Sequence, residues 1–352
     1  MIQRRKSRKV RVGDKYIGGD APVTVQTMPT SKTTNIKETV DIIKRCEEAG
    51  VDIVRLGMPD IESARAIKEI KKHVKVPIVA DIHFDYKIAL EAIKSGADKI
   101  RLNPGNIKER WKVEEVVRAC KDNGIPIRIG VNAGSIDRSK YPKPTPEALV
   151  DSAFHHVRIL EDLGFYDIVI SVKHNDVITM VEAYRLIASQ CDYPLHLGVT
   201  EAGTEFKSTI KSTIGIGTLL MEGIGDTVRV SLTGDSVKEV EIGIAILQQF
   251  GYKPTYVDVV SCPLCARADV NIIELTNKFE EKTKNMKKKV KVAIMGCVVN
   301  GPGESMDADI GVSCGKSGSV AYKNGKLYKR LKNEEILDFL LEEVEKFNNV
   351  SS

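Results

Sequence analysis

Long apolar runs are missing from this sequence. No stretch approaches the ~18 consecutive apolar residues that a membrane-spanning helix needs, so no membrane span is expected. The basic residues Arg4, Arg5, Lys6, Arg8, Lys9 and Arg11 are not followed by an apolar segment. They do not read as a secretory signal, and a cytoplasmic location is expected. Aromatic residues are scarce, with one Trp and 5% Phe, Trp and Tyr together, and the net charge is only +5. Nothing here demands a nucleic-acid surface, and no nucleic-acid partner is expected. The mild positive balance suits small anionic ligands as well. The seven cysteines are odd in number and unevenly spread, which argues against a disulfide framework in a reducing compartment. Cys46, Cys120 and Cys191 stand singly and read as small buried hydrophobes.

Apolar material is not lacking. Hydrophobic residues make up 42%, and 27 glycines bring the apolar share to about half, enough for a packed core. At roughly 100–200 residues per domain, 352 residues suggest two domains.

From Val23 to Leu232 one pattern recurs: a short β-branched run, a polar or Gly/Pro break, then an amphipathic stretch. The runs are Val23–Thr27, Val51–Leu56, Pro77–Ile82, Asp98–Leu102, Pro126–Val131, Asp167–Val172, Pro194–Val199 and Thr227–Leu232. Between them lie helical stretches such as Ile36–Ala49, Ile61–His73 and Pro146–Leu163. Eight such alternations imply parallel strands joined by helical crossovers, a (β/α)8 TIM barrel. A weak repeat supports it: Gly50-Val51-Asp52, Gly96-Ala97-Asp98 and Gly225-Asp226 each precede a strand bearing an arginine. Near Gly251 the rhythm changes. Beyond it come strands at Val257–Val260 and Val290–Met295, a helix around Val270–Lys282, Gly-rich loops, a hairpin turning at Asn324-Gly325 and a last helix Glu334–Phe347. We therefore expect an α/β chain, with a TIM barrel over residues 1–250 and a smaller α+β domain over 251–352.

In such barrels the site is built at the C-terminal strand ends. Those ends carry Arg55, Asp81, His83, Arg101, Asn103, Arg128, Asn132, Ser171, Lys173, His196, Glu201, Arg229 and Ser231. Four arginines and a lysine at one mouth are unfavourable unless an anion sits among them, and guanidinium forks match phosphate oxygens. The bland alternative pairs these arginines with Asp52, Asp81, Asp98 or Asp226. Asn103, Asn132, Ser171 and Ser231 are short polar groups for hydroxyls or phosphate oxygens. Asp81, His83, His196 and Glu201 are candidates for proton transfer.

The second constellation is Cys262-Pro263-Leu264-Cys265 with Met295-Gly296-Cys297-Val298-Val299-Asn300-Gly301-Pro302-Gly303-Glu304. C-x-x-C spacing alone suits zinc, a redox dithiol or an iron–sulfur centre. A third cysteine beside a Gly-Pro-Gly turn favours a cofactor, with Cys314 or an oxygen ligand such as Glu304 as the fourth position. Gly311–Ser317 is one residue short of a phosphate-binding loop and reads as a turn. Gly215-Ile216-Gly217 and Gly223-Ile224-Gly225 do not complete a dinucleotide fingerprint and are expected at helix boundaries.

The cysteine motifs, with Cys262-Pro263-x-Cys265-x-Arg267 at their head, resemble those of the bacterial 4-hydroxy-3-methylbut-2-enyl diphosphate synthase family. The barrel segments Val51–Gly57, Ala80–Phe84, Lys99–Gly105, Ile127–Gly134, Ser171–Asn175, Gly198–Gly203 and Arg229–Asp235 are similar too, so the resemblance spans nearly the whole chain. It implies the two-domain form of an oxidoreductase of the non-mevalonate isoprenoid route, acting on 2-C-methyl-D-erythritol 2,4-cyclodiphosphate. It also implies one [4Fe-4S] cluster per chain on Cys262, Cys265, Cys297 and Glu304, reduced flavodoxin or ferredoxin as electron donor, and a homodimer. On this mapping Arg55, Arg101, Arg128, Lys173 and Arg229 grip the diphosphate, assisted by Asn103, Asn132, Ser171 and Ser231. Glu201 manages protons, with Asp81, His83 and His196 nearby, and Cys314 is a bystander.

Overall fold

The computed structural model describes residues 2–349 except Leu264, Asp269, Val298 and Asn300. Leu264, Val298 and Asn300 of the cysteine motifs therefore lie outside the described residues. The chain divides into two units at Lys253/Pro254.

The first unit opens with an antiparallel hairpin, β1 (Val10–Val12) and β2 (Lys15–Ile17). Eight strands follow: β3 (Thr24–Thr27), β4 (Ile53–Gly57), β5 (Ile78–Asp81), β6 (Lys99–Arg101), β7 (Ile127–Val131), β8 (Ile168–Val172), β9 (His196–Leu197) and β10 (Thr227–Val228). Each overlaps one of the eight expected runs. They pair in parallel in the order β8-β7-β6-β5-β4-β3-β10-β9, and a bridge between Ile170 and Leu195 joins the last to the first. Helices α1 (Ile36–Glu48), α2 (Ile61–Ile70), α3 (Tyr86–Lys94), α4 (Arg110–Asn123), α5 (Pro146–Asp162), α6 (Val177–Gln190), α7 (Glu205–Met221) and α8 (Ser236–Gln249) form the crossovers. Asp60, Asp85, Thr145, Asp176 and Asp235 each accept a backbone N–H as a helix begins, which fixes where the chain turns off the barrel rim.

The main core lies between strands and helices. Outward residues such as Val54, Leu56, Ile78, Ile100, Ile129 and Ile170 pack on Ile43, Ile67, Ala92 and Val116. The inner bottom is closed differently. Val10, Val12 and Ile17 of the hairpin pack on Ile53, Val79 and Val169 near the strand starts. The basic N-terminal stretch thus precedes an apolar plug.

The Gly-x-Asp repeat has a structural meaning. Gly50, Gly96 and Gly225 have φ of 91°, 94° and 125°, open to glycine. The carboxylates that follow each accept the N–H of a neighbouring strand: Asp52 from Val25 at 2.7 Å, Asp98 from Ile78 at 2.8 Å, Asp226 from Leu195 at 2.8 Å. Gly215 and Gly217 lie inside α7 rather than at a boundary. There a Cβ on Gly215 would come within 2.5 Å of Met180, so the glycine allows α7 to approach its neighbours closely.

The second unit is a five-stranded sheet, β11 (Val257–Ser261), β12 (Val290–Met295), β13 (Ile310–Ser313), β14 (Ser319–Lys323) and β15 (Lys326–Leu331), paired in chain order. The first three are parallel and the rest antiparallel. Helices α9 (Ile272–Thr283), α10 (Gly301–Met306) and α11 (Ile336–Glu345) accompany it, over a core of Phe279, Val292, Ile294, Ile310, Val312 and Leu340. Asn324 and Gly325 both have positive φ, 48° and 76°, as a two-residue hairpin turn requires. Two expectations are corrected. Gly301-Pro302-Gly303 begins helix α10, where Pro tolerates a first turn. Residues 311–313 belong to strand β13 rather than to a turn. Both follow from one close approach: a Cβ on Gly301 would meet Ser313 Oγ at 2.1 Å, and one on Gly311 would meet Ser305 at 2.5 Å. Bare backbone lets α10 lie on β13. Among the described residues no helix is long and apolar enough to cross a membrane.

Candidate functional site

Side chains alternate across each strand. Ile53, Arg55 and Gly57 of β4 therefore face the lumen while Val54 and Leu56 face the helices, and the same holds around the ring. The mouth of the barrel holds a cavity of about 160 Å³. Of the residues expected at the site, Arg55, Asp81, His83, Arg101, Arg128, Asn132, Ser171, Lys173, Arg229 and Ser231 line it, joined by Gly130, Val131, Val199 and Thr200.

Three expected residues are placed elsewhere. Asn103 is buried beside the cavity, with both halves of its amide committed: Nδ2 donates to the Gly130 carbonyl and Oδ1 accepts the Gly130 N–H, each at 2.9 Å. It holds β7 in place. His196 is fully buried, and neither of its ring nitrogens has a hydrogen-bond partner among the described residues. Glu201 is exposed and follows Thr200 of the lining, with φ of 52°. A non-glycine residue in that conformation stores strain of the kind that collects at working sites.

The bland pairing of the arginines is only partly realised. Asp81 lies 3.5 Å from Arg55 and 3.4 Å from Arg101. Burial favours its neutral form, but the charges of Arg55, Arg101 and Arg128 outweigh this and hold its pKa below the usual carboxylate range. Asp52, Asp98 and Asp226 are taken by Lys253, Lys71 and Arg4 away from the mouth. The other carboxylate at the site is Glu239, which arrives from α8. It accepts from Arg229 Nη2 at 3.2 Å, Thr27 Oγ1 at 2.7 Å and the Leu232 N–H at 3.2 Å.

Five cations thus stand against two carboxylates. Arg128, 2% exposed, donates from Nη1 to Ser171 Oγ at 2.6 Å, while its Nε and Nη2 find no partner among the described residues. Arg55 donates from Nε and Nη2 to the Met28 thioether at 3.3 and 3.1 Å, a weak acceptor. Burial, then the charges of Arg229 and Arg101, bring its pKa down to about 10 despite Asp81. Burial, followed by Arg128, Arg229 and Arg55, likewise depresses Lys173. Two glycines make room for this crowd. A Cβ on Gly130 would meet Arg101 and Arg128 at 2.9 Å, and one on Gly198 would meet Lys173 Nζ at 2.7 Å. A glycine inside a strand signals such an approach, and it was the available sequence sign for both. Glu239 had none, because its position depends on how α8 packs.

In the second unit Cys262 and Cys297 follow the ends of the adjacent parallel strands β11 and β12. Cys262 Sγ accepts the Gly296 N–H at 3.1 Å. The Arg267 N–H and then its side chain hold the Cys265 thiol below its ordinary pKa, and the Arg267 charge also responds to Cys297. Glu304 is exposed on α10. Among the described residues no three His, Cys, Asp or Glu side chains form a ready-made ion site. Cys314 is buried behind the strands, within the sheet core.

Comparison with known proteins agrees with this geometry. Residues 7–244 match the GcpE TIM-barrel domain and residues 258–346 the GcpE protein C-terminal domain. The chain is 54% identical over 350 residues to the 4-hydroxy-3-methylbut-2-en-1-yl diphosphate synthase (flavodoxin) of Caldanaerobacter subterraneus, covering 98% of this chain and 99% of that protein. It is 52% identical over 347 residues to the protein of the same name from Clostridium perfringens, with coverage of 98% and 99%. The dihydropteroate synthase structure from Stenotrophomonas maltophilia shares the barrel fold, with a TM-score of 0.51 and 15% identity over 71% of this chain and all of that one. Both domain matches and near-complete alignment to these synthases place the chain in the GcpE family of 4-hydroxy-3-methylbut-2-en-1-yl diphosphate synthases.

Proposed function

We propose that this protein is a cytoplasmic oxidoreductase that opens 2-C-methyl-D-erythritol 2,4-cyclodiphosphate and removes one hydroxyl as water, giving 4-hydroxy-3-methylbut-2-enyl diphosphate. The observation that carries this reading is the under-neutralised mouth: five cations and two carboxylates around one cavity in a chain of this family. A cyclic diphosphate supplies the missing negative charge, and the guanidinium groups of Arg55, Arg101, Arg128 and Arg229 present forked donors to its oxygens. Lys173 adds a compact donor, and Asn132, Ser171 and Ser231 suit bridging oxygens and hydroxyls. Asn103 acts through β7, whose Gly130 it anchors.

Departure of a hydroxyl as water consumes a proton. Glu201, at the strained position after Thr200, is our choice to deliver it, with Asp81 and His83 on the cavity wall and His196 below. The barrel unit would bind substrate, and the unit beyond residue 250 would carry one [4Fe-4S] cluster on Cys262, Cys265, Cys297 and Glu304. The donor set suits it: two thiols end adjacent strands, the Gly296 N–H donates to one sulfur, and Arg267 favours the thiolate of another. When bound, such a cluster supplies single electrons and an oxygen-ligated iron as Lewis acid. Its two electrons would come from reduced flavodoxin or ferredoxin, and the relatives' names carry flavodoxin. A homodimer is supported by the exposed stripe Phe206, Ile210 and Ile214 on α7, spaced at one helical turn.

The test is anaerobic turnover of the cyclic diphosphate with a strong one-electron reductant, together with metal analysis. The wild type is expected to contain iron and sulfide and to form product, while Glu304→Ala keeps the barrel's affinity for substrate and loses turnover. Zinc in place of iron and sulfide, or full activity in Glu304→Ala, would overturn it.

A further inference from the structure

Below the cavity, the barrel lumen is not filled by the branched aliphatic side chains usual in this fold. Thr24 and Gln26 on β3, Lys99 on β6, Arg128 on β7, His196 on β9 and Thr227 on β10 are all buried. Strand register sets Thr24, Thr227 and His196 side by side across β3, β10 and β9. Lys99 is close enough for its charge to act on His196, and it is itself acted on by Arg128 and Arg55. Among the described residues, Lys99 Nζ, both His196 ring nitrogens, both polar atoms of the Gln26 amide and the hydroxyls of Thr24 and Thr227 have no hydrogen-bond partner. Arg128 belongs both to this layer and to the cavity wall, so it links the two.

A fully buried amine with no counter-ion is unfavourable as an ammonium ion. Burial, then the Arg128 and Arg55 charges, pushes the Lys99 pKa well down. Charged or titratable groups around the lumen are Arg55 on β4, Asp81 on β5 and His83 after it, Arg101 on β6 itself, Arg128 on β7, Lys173 after β8, Tyr184 from α6, His196 on β9, Arg229 after β10 and Glu239 from α8. From β3 come only the uncharged Thr24 and Gln26. Of all these groups, only Asp81 and Glu239 are carboxylates, and they are engaged with Arg55 and Arg101 and with Arg229 respectively. A polyanion seated among the arginines offsets their positive charge, and so relieves the repulsion felt by the layer beneath.

We propose that Lys99 is a proton-accepting positioning residue: its amine takes one proton from solvent when a phosphate ligand enters the mouth and returns it when the ligand leaves. This rests on the reading of the mouth as a phosphate site. The added charge lies under the arginines, where it holds the anion without touching it. Affinity is thereby tied to pH through a group that never contacts the ligand.

The test is calorimetric titration of inorganic pyrophosphate into anaerobically purified full-length protein at mildly alkaline pH, in two buffers of different protonation enthalpy. Wild type, Lys99→Met and Lys99→Gln are compared. Proton exchange by the ligand and by Lys173 is common to all three. We expect the wild type to take up about one proton more per ligand than either variant, and its affinity to weaken about tenfold more per pH unit on raising the pH. Both ligand-free variants should melt at or above the wild-type temperature, because a neutral amine without partners has no bonds to lose. Equal proton uptake in folded variants would overturn this inference alone, and so would failure of both variants to fold. Absence of any pyrophosphate binding to the wild type would overturn the phosphate reading with it.

Discussion

Replacement of Arg128 by Met separates what this residue does for the ligand from what it does for the fold. The guanidinium is 2% exposed, donates one hydrogen bond to Ser171 and leaves Nε and Nη2 without partners among the described residues. Buried donors without acceptors cost about 1–3 kcal/mol each. Arg55 and Arg101 add like-charge repulsion, only partly offset by Asp81. Substituting buried charged groups by apolar ones of similar volume has raised stability by about 1–4 kcal/mol elsewhere. The Ser171 hydroxyl loses its donor but keeps a 3.5 Å contact with the Ile129 carbonyl. Arg128→Met should therefore stabilise the ligand-free barrel by about 1–3 kcal/mol, raising its melting temperature by about 2–4 °C per kcal/mol. The effect on binding is opposite. Two charge-assisted hydrogen bonds at about 1.5–3 kcal/mol each amount to roughly 3–6 kcal/mol, a loss of about 10²–10⁴ in Kd for the cyclic diphosphate. Scanning calorimetry of the ligand-free protein and titration with the substrate read the two effects independently. A variant that melts well below the wild type while still binding substrate normally would refute the reasoning, since Arg128 would then be a structural residue.

Glu239→Ala should have the reverse balance. It strips Arg229, Thr27 and the Leu232 N–H of a buried acceptor, and urea unfolding should show the barrel weakened by about 3–5 kcal/mol; a loss below about 1 kcal/mol would contradict it. His156 makes the barrel sensitive to acid. Burial first, then His155 and Arg101, lower its pKa from 6.5 to about 4, and its Nδ1 accepts the Gly105 N–H at 3.1 Å. The unfolded chain binds this proton more readily, so the contribution is complete above about pH 6.5 and is lost as pH falls toward about 4, by roughly 3 kcal/mol. Urea midpoints across that range should fall less steeply in His156→Gln than in the wild type. Gly301→Ala places a methyl group 2.1 Å from Ser313 Oγ, so α10 must shift off β13. Melting of the second unit should show it weakened by about 1–3 kcal/mol.

The barrel was legible because its signal is local. Each strand is a β-branched run, and each crossover carries its own periodicity, so eight strands could be counted without knowing one tertiary contact. Rim arginines were legible for the same reason: in this fold a strand's end is a place. Depth was not. Whether a lumen residue reaches the cavity depends on strand tilt and stagger, and that is why His196 lies below the mouth and Asn103 faces the backbone of β7. Partners from other layers were equally hidden, and Glu239 could not be assigned to Arg229 before α8 was packed. The hairpin plug is masked in the sequence for a different reason. Val10, Val12 and Ile17 alternate with Arg11 and Tyr16 in a segment whose basic charge is the more conspicuous feature.

The division of labour inside the first unit explains how so much charge is tolerated. In most barrels of this kind the lumen is a second core. Here the lumen core is reduced to its bottom rung, Ile53, Val79 and Val169 packed against the hairpin. The remaining apolar burial lies outside the ring, between strands and helices. Because alternation separates the two faces of every strand, cations can accumulate on the inner face without removing a single aliphatic residue from the outer one. Stability and ligand charge are thus carried by opposite faces of the same eight strands. A lumen substitution such as Arg128→Met should change affinity far more than folding, whereas shortening an outward residue such as Ile129 should do the converse.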